Sequence, residues 1–206
     1  MKKIFLASFA SVTLDLIKDL LPKDKPQLKA AFIPTAGDPY DDKGFVYVDR
    51  DKLVELGFDV IDIDLKEASE ESLEQQLAGI DLVLVAGGNT FYLLEKVKKS
   101  GFDKVIKKLV DNGVIYVGSS AGSILCCPTI EGAKRFDDPN DAPELTDYAG
   151  LNFYDKVIIP HAHKERYAER IVQTTEEMTQ KGLEVVTLTD DQAILITDEG
   201  SRVVEL

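Results

Sequence analysis

Short apolar segments rich in β-branched residues alternate along this chain with longer amphipathic segments. The apolar segments show no alternation of polar and apolar side chains, which is typical of strands covered on both faces in a parallel sheet. This alternation predicts an α/β fold, a three-layer doubly wound and mostly parallel sheet flanked by helices. The predicted strands lie at 4–8, 30–34, 60–64, 82–86, 114–117 and 157–160, and the predicted helices around 13–21, 48–56, 69–77, 90–100, 102–111 and 164–181.

The end of the chain has a different pattern. Three further strands are predicted at 184–188, 192–197 and 202–206, and polar turns at 189–191 and 198–201 join them. Polar turns between short apolar runs are a signal for antiparallel pairing. We therefore expect a hairpin-like C-terminal extension of the sheet.

Composition limits the classes of protein to which the chain can belong. Its 206 residues suffice for one domain with a full core, and a net charge of −13 argues against a nucleic-acid surface. The apolar run near the N-terminus is too short for an export signal, and no run approaches the ~20 apolar residues of a membrane span. The two cysteines, Cys126 and Cys127, are neighbours on a predicted helix and cannot pair, so we expect free thiols and a cytoplasmic protein.

A possible nucleophile stands in the segment Gly118-Ser119-Ser120-Ala121-Gly122, between a predicted strand and a helical segment. A G-x-S-x-G motif at a strand–helix junction is typical of a nucleophile elbow, in which small neighbours permit a sharp turn that exposes the serine. The alternative is that Ser120 only caps a helix. A serine hydroxyl needs a base to take its proton before it can act as a nucleophile.

The chain offers two histidines as that base, His161 and His163, just after the predicted strand at 157–160. This position places them at the carboxyl edge of the sheet, where Ser120 is also expected and where ligands of open α/β sheets bind. The alternatives are surface loop histidines, or a metal site in which both rings are ligands. No further histidine or cysteine pair supports a metal, so we expect neither a metal nor a cofactor.

A second strand–helix junction, Gly87-Gly88-Asn89-Thr90, follows the predicted strand at 82–86. It could be a turn with an Asn or Thr helix cap, or an anion-binding loop. We favour a third interpretation, in which the Gly88 and Ala121 amides form the two halves of an oxyanion hole. Sequential strands are commonly neighbours, which would bring the two junctions together.

A carboxylate must orient the base, and the polar loop at 131–152 supplies several. Asp138 is the first choice, because Pro139 restricts the residue before it to extended conformations, and Asp137 is the second. The alternative is that these acids form only a solvated loop. The remaining candidates are Asp141, Glu144 and Asp147.

These motifs together resemble the peptidase E family, the S51 serine peptidases, which include α-aspartyl dipeptidases and, more distantly, cyanophycinases. The likeness rests on the segments at 31–37, 87–91, 118–122 and 127–130 and on Pro160-His161. It covers nearly the whole chain. It implies one domain over 1–206 with a flavodoxin-like fold similar to that of class I glutamine amidotransferases. It also implies Ser120 as nucleophile, His161 as base, the Gly88 and Ala121 amides as oxyanion donors, and cleavage after an N-terminal residue, for which aspartate is typical of the family.

Two positions depart from the family pattern. The triad acid of the aspartyl dipeptidases aligns with Arg135 without a gap and with Asp138 when a gap is allowed. Arg170 resembles the arginine that binds an acidic substrate side chain in the family, and Lys164 or Arg135 could contribute to the same contact. The alternative is that Arg170 is an exposed arginine in a surface ion pair. Asn89 and Thr90 are further predicted substrate-binding residues.

The sequence therefore predicts a serine exopeptidase that acts on short peptides. A homodimer is compatible with its size and with the family resemblance. No nucleic-acid or membrane partner is expected. A cyanophycinase-like or esterase-type hydrolase on the same site is one alternative. A non-catalytic flavodoxin-like binding domain, with 87–90 holding an anion, is the other.

Overall fold

The structure, a computed structural model, describes residues 2–23 and 25–206. Within these residues, seven strands form one sheet in the order β3-β2-β4-β5-β1-β8-β9, and β6 pairs with β7 in a second sheet. The strands are β1 (Lys3–Ala7), β2 (Lys29–Ile33), β3 (Asp59–Asp62), β4 (Leu82–Val85), β5 (Ile115–Ser119), β6 (Val157–Ile159), β7 (Val185–Thr187), β8 (Gln192–Thr197) and β9 (Gly200–Glu205).

Helices connect these strands. The α-helices are α1 (Ala10–Thr13), α2 (Gly44–Glu55), α3 (Glu70–Gln76), α4 (Thr90–Ser100), α5 (Phe102–Asp111), α6 (Ala121–Ile124) and α7 (Ala168–Gln180). Short 3₁₀ helices lie at Leu14–Leu20, Thr35–Gly37, Glu131–Arg135, Pro139–Asp141 and Glu165–Tyr167. No helix in the described part of the chain has the length and apolar character needed to cross a bilayer.

The central part of the sheet is parallel, as predicted. Strands β3, β2, β4, β5 and β1 are parallel neighbours, and β8 and β9 add an antiparallel hairpin beside β1. The mostly parallel α/β architecture and the hairpin-like extension by the last two predicted strands are therefore confirmed. The predicted strand at 184–188 is β7, which pairs in parallel with β6 in the second sheet and does not join this extension. Adjacent parallel strands end at the same edge, so the segments that follow β4 and β5 meet there.

Both faces of the sheet are covered, which explains why the strands read as continuous apolar runs. Successive residues of β1 enter different cores: Ile4 and Leu6 pack with Phe91 and other residues on one face, whereas Phe5 and Ala7 pack on the other. Since side chains alternate across a strand, a sheet with two buried faces leaves no polar position. The three-layer prediction follows from this pattern.

The predicted strand at 157–160 has a different place from the rest. It is β6, and it pairs in parallel with β7 outside the seven-stranded sheet, with Ile159 opposite Thr187. The side of β1 that faces away from β5 is occupied by β8. The small parallel sheet of β6 and β7 determines which residues lie beside those that follow β6.

Candidate active site

Ser120 lies in a sharp turn between β5 and α6. Its φ of 49° is unusual for a residue with a side chain, and its N–H donates to the Ala7 carbonyl at 3.0 Å. A Cβ at position 122 would lie 2.1 Å from the Val85 carbonyl oxygen, so the helix can approach β4 only with glycine there. Backbone strain of this kind is typical of functional turns, and the conformation is that of a nucleophile elbow.

The structure brings His161 against Ser120. His161 follows β6 with a φ of 60°, and its Nε2 lies 3.1 Å from Ser120 Oγ. His163 lies farther out, with its Nε2 3.5 Å from Asp190 Oδ2. Of the two histidines, His161 is therefore the one placed to accept the serine proton.

The carboxylate beside His161 is Asp190, which lies in the polar turn predicted at 189–191 and was not among the predicted site residues. His161 Nδ1 lies 2.5 Å from Asp190 Oδ1. Ser8 joins both residues, since its hydroxyl donates to Asp190 Oδ1 at 2.8 Å and accepts from the His161 backbone N–H at 2.8 Å. Burial raises the pKa of Asp190, but the hydrogen bond and charge of His161 and the Ser8 hydroxyl outweigh it and hold this pKa well below its usual value.

The prediction that Asp138 or Asp137 orients His161 does not agree with this geometry. Asp138 is exposed, and its carboxylate accepts from the Asn140 N–H at 2.9 Å. Asp137 Oδ2 accepts from the backbone N–H of Thr90 at 2.9 Å and from its hydroxyl. The loop is fastened to the start of α4, which directs both carboxylates to partners other than the imidazole.

A sequence signal for Asp190 existed, although it was weak. Asp190 follows β7 as His161 follows β6, and these two strands are parallel and in register. Residues after neighbouring parallel strands meet at one edge, which is the rule that predicted the positions of Ser120 and His161. Applying it to Asp190 required knowing that 185–187 pairs with 157–159, which the sequence pattern did not indicate.

The Gly88 and Ala121 amides lie at two junctions that adjacent strands bring together. Strands β4 and β5 are neighbours, with Val85 opposite Gly118, and a Cβ at position 87 would lie 3.2 Å from Ser120 Cβ. Gly88 has a φ of 142°, and a Cβ there would lie 2.1 Å from the Ala36 carbonyl oxygen, so this turn requires glycine. In the described part of the chain, neither the Gly88 nor the Ala121 N–H has a protein acceptor.

Asn89 and Thr90 have different contacts from those predicted. Asn89 is buried and caps α4, and its Nδ2 donates to the Asp138 carbonyl at 2.8 Å and to Asp141 Oδ2 at 2.7 Å. Thr90 is also buried and holds Asp137. Their polar atoms are occupied by these contacts, so these two residues support the loop at 137–141 and do not line the cavity described next.

A cavity of about 360 Å³ opens over Ser120 and His161. Aromatic side chains form much of its wall, and three charged residues, Asp137, Lys164 and Arg166, also line it. The lining residues include Phe9, Tyr40, Phe45, Phe136 and Tyr167. Burial, and secondarily the charge of Asp137, raises the pKa of Tyr40 to about 12, so this phenol stays neutral at physiological pH.

The predicted cation, Arg170, is not among the described residues that line this cavity. Its guanidinium lies 6.0 Å from the centre of the Tyr167 ring, whereas that of Arg166 lies 4.8 Å from the same ring and reaches the cavity. Arg135 pairs with Glu177 at 3.1 Å. Helix α7 begins at Ala168, so Arg170 lies beyond the segment that faces the site.

A buried carboxylate, Asp49, supports the elbow from behind and was not singled out in the sequence. Asp49 Oδ1 accepts from the Ser11 N–H at 2.7 Å, and the hydroxyl of Ser119 accepts from the Ala10 N–H at 3.0 Å. Burial raises the pKa of Asp49 to about 6, against the lowering effect of hydrogen bonds from Ser119 and Ser11. Strand β5, helix α1 and helix α2 are thus joined directly behind the residue that precedes Ser120.

The arrangement has the parts required for acyl transfer: a hydroxyl, a base, an orienting carboxylate and two backbone donors. In residues 2–23 and 25–206, no group of three or more His, Cys, Asp and Glu side chains is placed to hold a metal ion. The chemistry available from these residues is nucleophilic attack by serine.

Known proteins are similar in sequence to this chain over most of its length. The model of Peptidase family S51 matches residues 6–204. An uncharacterized peptidase of Pasteurella multocida is 31% identical over 199 residues, which cover 97% of this chain and 95% of that protein. A peptidase E of Salmonella arizonae is 33% identical over 168 residues, which cover 75% of this chain and 69% of the relative.

A solved structure shares the whole fold. The crystal structure of a Listeria monocytogenes protein assigned to peptidase E superposes with a TM-score of 0.90 at 28% identity, covering 100% of this chain and 99% of the other. A peptidase from an acI-B1 actinobacterium, at 14% identity and a TM-score of 0.71, shares the fold. With the family model matched over nearly its full length, the chain belongs to peptidase family S51, a family of serine peptidases.

Proposed function

We propose that this protein is an exopeptidase that hydrolyses short peptides, dipeptides above all, with Ser120, His161 and Asp190 as its catalytic triad. The observation that carries the proposal is the continuous chain from Ser120 Oγ to His161 Nε2, at 3.1 Å, and from His161 Nδ1 to Asp190 Oδ1, at 2.5 Å, with Ser120 and His161 on the wall of one cavity. This proposal replaces Asp138 with Asp190 as the orienting acid.

The geometry supports the following sequence of steps. Ser120 Oγ attacks the scissile carbonyl carbon while His161 Nε2 takes the hydroxyl proton, and Asp190 stabilises the imidazolium that results. The Gly88 and Ala121 amides donate to the oxyanion of the tetrahedral intermediate. His161 then gives its proton to the leaving amine. A water molecule, deprotonated by the same imidazole, then attacks the acyl carbon, and the imidazolium returns the proton to Ser120 Oγ as the bond between this oxygen and the acyl carbon breaks.

The cavity favours small substrates with a negatively charged group. Its volume of about 360 Å³ lies at the lower end of the range for small-molecule sites. Lys164 and Arg166 supply positive charge on its wall. We propose that these two residues, and not Arg170, bind a substrate carboxylate, either the acidic side chain of an N-terminal aspartate or the terminal carboxylate of a dipeptide.

We also place this activity in the cytoplasm. Cys126 and Cys127 are buried free thiols, and burial raises the pKa of Cys127 to about 12 and that of Cys126 well above its usual value. Unpaired thiols suit a reducing compartment. Fractionation of the source cells, with the protein found in the periplasmic or secreted fraction, would contradict this placement.

The experiment that tests the proposal is a substrate panel with the wild type and Ser120→Ala. The panel contains Asp-Leu, neutral dipeptides, β-aspartyl dipeptides and simple esters, and a fluorophosphonate probe reports whether Ser120 is reactive. We expect dipeptide cleavage and labelling in the wild type and neither in Ser120→Ala. Ser123→Ala is the matched control, since Ser123 is buried in α6, three residues after Ser120, and its hydroxyl donates to the Ala7 carbonyl at 2.7 Å.

Each alternative has its own result in this panel. Faster cleavage of β-aspartyl peptides would indicate a cyanophycinase-like activity, and faster turnover of esters an esterase. Unlabelled Ser120 together with an inactive wild type would contradict the triad and favour a binding domain.

A further inference from the structure

Asp137 is a charged residue of the cavity that the proposed mechanism does not use. One of its oxygens, Oδ2, accepts both hydrogen bonds from Thr90. The other, Oδ1, accepts no hydrogen bond from the described residues, and no Lys, Arg or His nitrogen among them lies within 4.0 Å of the carboxylate. Asp137 therefore presents a carboxylate oxygen to the cavity without a protein cation to balance it.

The surroundings of Asp137 make a cationic ligand favourable. Burial raises the pKa of this carboxyl, and the two Thr90 hydrogen bonds and the charge of His161 offset the effect only in part, while Asp141 raises the pKa further. A carboxylate that is costly to ionise in isolation gains most from a cation that enters the same partly dry cavity. Lys164 and Arg166 line the cavity but remain with other partners: Lys164 lies 3.5 Å from Asp190 Oδ2, and Arg166 stacks on Tyr167.

Asp137 and the predicted oxyanion donor Gly88 line the same cavity. Thr90, which holds Asp137, is two residues after Gly88 and is the first residue of α4. When a peptide carbonyl points toward the Gly88 amide, the α-amino nitrogen of the same residue lies only two bonds from the carbonyl carbon. In a peptide cleaved after its first residue, that nitrogen is a free ammonium group at neutral pH.

We infer that Asp137 binds the protonated α-amino group of the substrate, and so confines the enzyme to peptides whose N-terminus is free. This inference rests on the proposed function, because it assumes that Ser120 attacks the first peptide bond. It assigns two acids near the candidate site to different tasks: Asp190, behind His161, orients the imidazole, and Asp137, on the cavity wall, recognises the substrate. It also separates substrates with a free amine from N-acylated peptides and from internal bonds of longer chains.

The test compares alanyl-leucine with propionyl-leucine, which differ only in the α-amino group, or the equivalent pair for whichever first residue is cleaved fastest. We expect wild type to favour the amine at least about 100-fold in kcat/KM, which is within the range of a charge-assisted hydrogen bond in a desolvated site. In Asp137→Asn this preference falls about 10- to 100-fold, because the rate on the free amine drops while that on the desamino compound does not. Asp138→Asn is the matched control and keeps the wild-type preference, since Asp138 is exposed and caps only its own short helix.

A binding measurement separates failure of this inference from failure of the proposed function. In the Ser120→Ala background, calorimetry with the two compounds reports recognition of the amine without turnover, and Asp137→Asn in that background should abolish the difference in affinity. Equal wild-type rates on the two compounds, or an unchanged preference in Asp137→Asn, would overturn the inference while leaving the triad intact. An inactive wild type whose Ser120 does not react with the fluorophosphonate would instead reject the proposed function. If Asp137→Asn does not fold, the wild-type preference still decides, because its absence contradicts the inference.

Discussion

Asp190 and Asp137 belong to the same site, and yet their carboxyl groups have opposite properties. Asp190 is bonded to His161 and Ser8, and its pKa is well below the usual value. Asp137 is bonded to Thr90, without a cation among its described neighbours, and its pKa is raised. Burial acts in the same direction on both groups, so the difference comes from their partners. A carboxylate hydrogen-bonded to an imidazole is suited to catalysis. A carboxylate without a cation among its described neighbours is suited to binding a positively charged group of the substrate.

The backbones that carry these two acids explain why their partners differ. Asp190 extends from the end of β7, which lies parallel to the strand that carries His161. Asp137 belongs to a loop that Asn89 and Thr90 fasten to the start of α4. Separation along the sequence does not show which acid contacts His161, because the two separations are similar. Asp137 is 24 residues before the histidine and Asp190 is 29 after it.

Asparagine at position 190 removes the negative charge beside His161 and should have the greatest effect on turnover. We expect Asp190→Asn to lower kcat by about 10³- to 10⁴-fold, because the amide does not hold the imidazole in the productive tautomer or stabilise its charge. Steady-state kinetics on the best dipeptide measure the effect. Asp191→Asn is the matched control one residue away and should stay within about twofold of wild type, the range expected of a side chain outside the site. A loss below tenfold in Asp190→Asn would remove Asp190 from the triad.

Asp49 is a third carboxylate with a shifted pKa, but unlike Asp190 and Asp137 it is fully buried, and it is not among the described residues that line the cavity. Its folded pKa of about 6 lies above the value of about 3.9 for an unfolded chain, so the folded state holds the proton more tightly. The free energy of unfolding therefore falls as pH rises from about 4 to about 6, by about 3 kcal/mol from this group, and stays lower above that window.

Urea unfolding of wild type and Asp49→Asn at pH 4.5 and pH 7.5 measures this contribution as the change in their difference. The variant should lack this pH dependence, because asparagine does not titrate. Its free energy of unfolding relative to that of the wild type should therefore be higher at pH 7.5 than at pH 4.5. Asp51→Asn, at an exposed position of the same helix, is the control and should behave as wild type. A wild-type minus Asp49→Asn difference that is the same at both pH values would contradict the raised pKa.

Removal of the Ser8 hydroxyl tests how firmly the acid side of the triad is held. We expect Ser8→Ala to lower kcat about tenfold with little change in KM, since the His161 N–H and Asp190 both lose a hydrogen-bond partner worth about 1–2 kcal/mol. The matched control is Ser123→Ala, which removes another buried serine hydroxyl that contacts neither residue. If both variants lose stability equally and neither loses kcat, Ser8 has only a structural role.

The two arginines near the Tyr167 ring should have the weakest effects on catalysis. Arg170→Ala should change kcat/KM for Asp-Leu by less than about twofold, because Arg170 is not among the described residues that line the cavity. Arg166→Ala should raise KM for the same substrate by about fivefold, as expected when a charged hydrogen bond to a substrate carboxylate is lost. The reverse order of these effects would restore the assignment made from the sequence.

Much of the fold was predictable because its signals are local. The strands at 82–86 and 114–117 and the helices at 90–100 and 102–111 were predicted within one or two residues, since continuous apolar runs and amphipathic periods depend on neighbouring residues. Ser120 and its turn were predictable for the same reason, because a glycine-flanked serine between strand and helix is a local pattern. Arg170 was assigned by its resemblance to the family's arginine, whereas Arg166, four residues earlier, is the arginine that lines the cavity.

The α/β class, the turn at Ser120 and the two histidines available as bases could be read from residues that are neighbours in the sequence. The carboxylate that meets His161 could be identified only once the packing of distant segments was known. That choice depends on the pairing of β6 with β7 away from the main sheet, and on the contacts of Asn89 and Thr90 with the loop at 137–141. Both are contacts between segments distant in sequence, and a pattern of residues within one segment carries no record of which other segment packs against it.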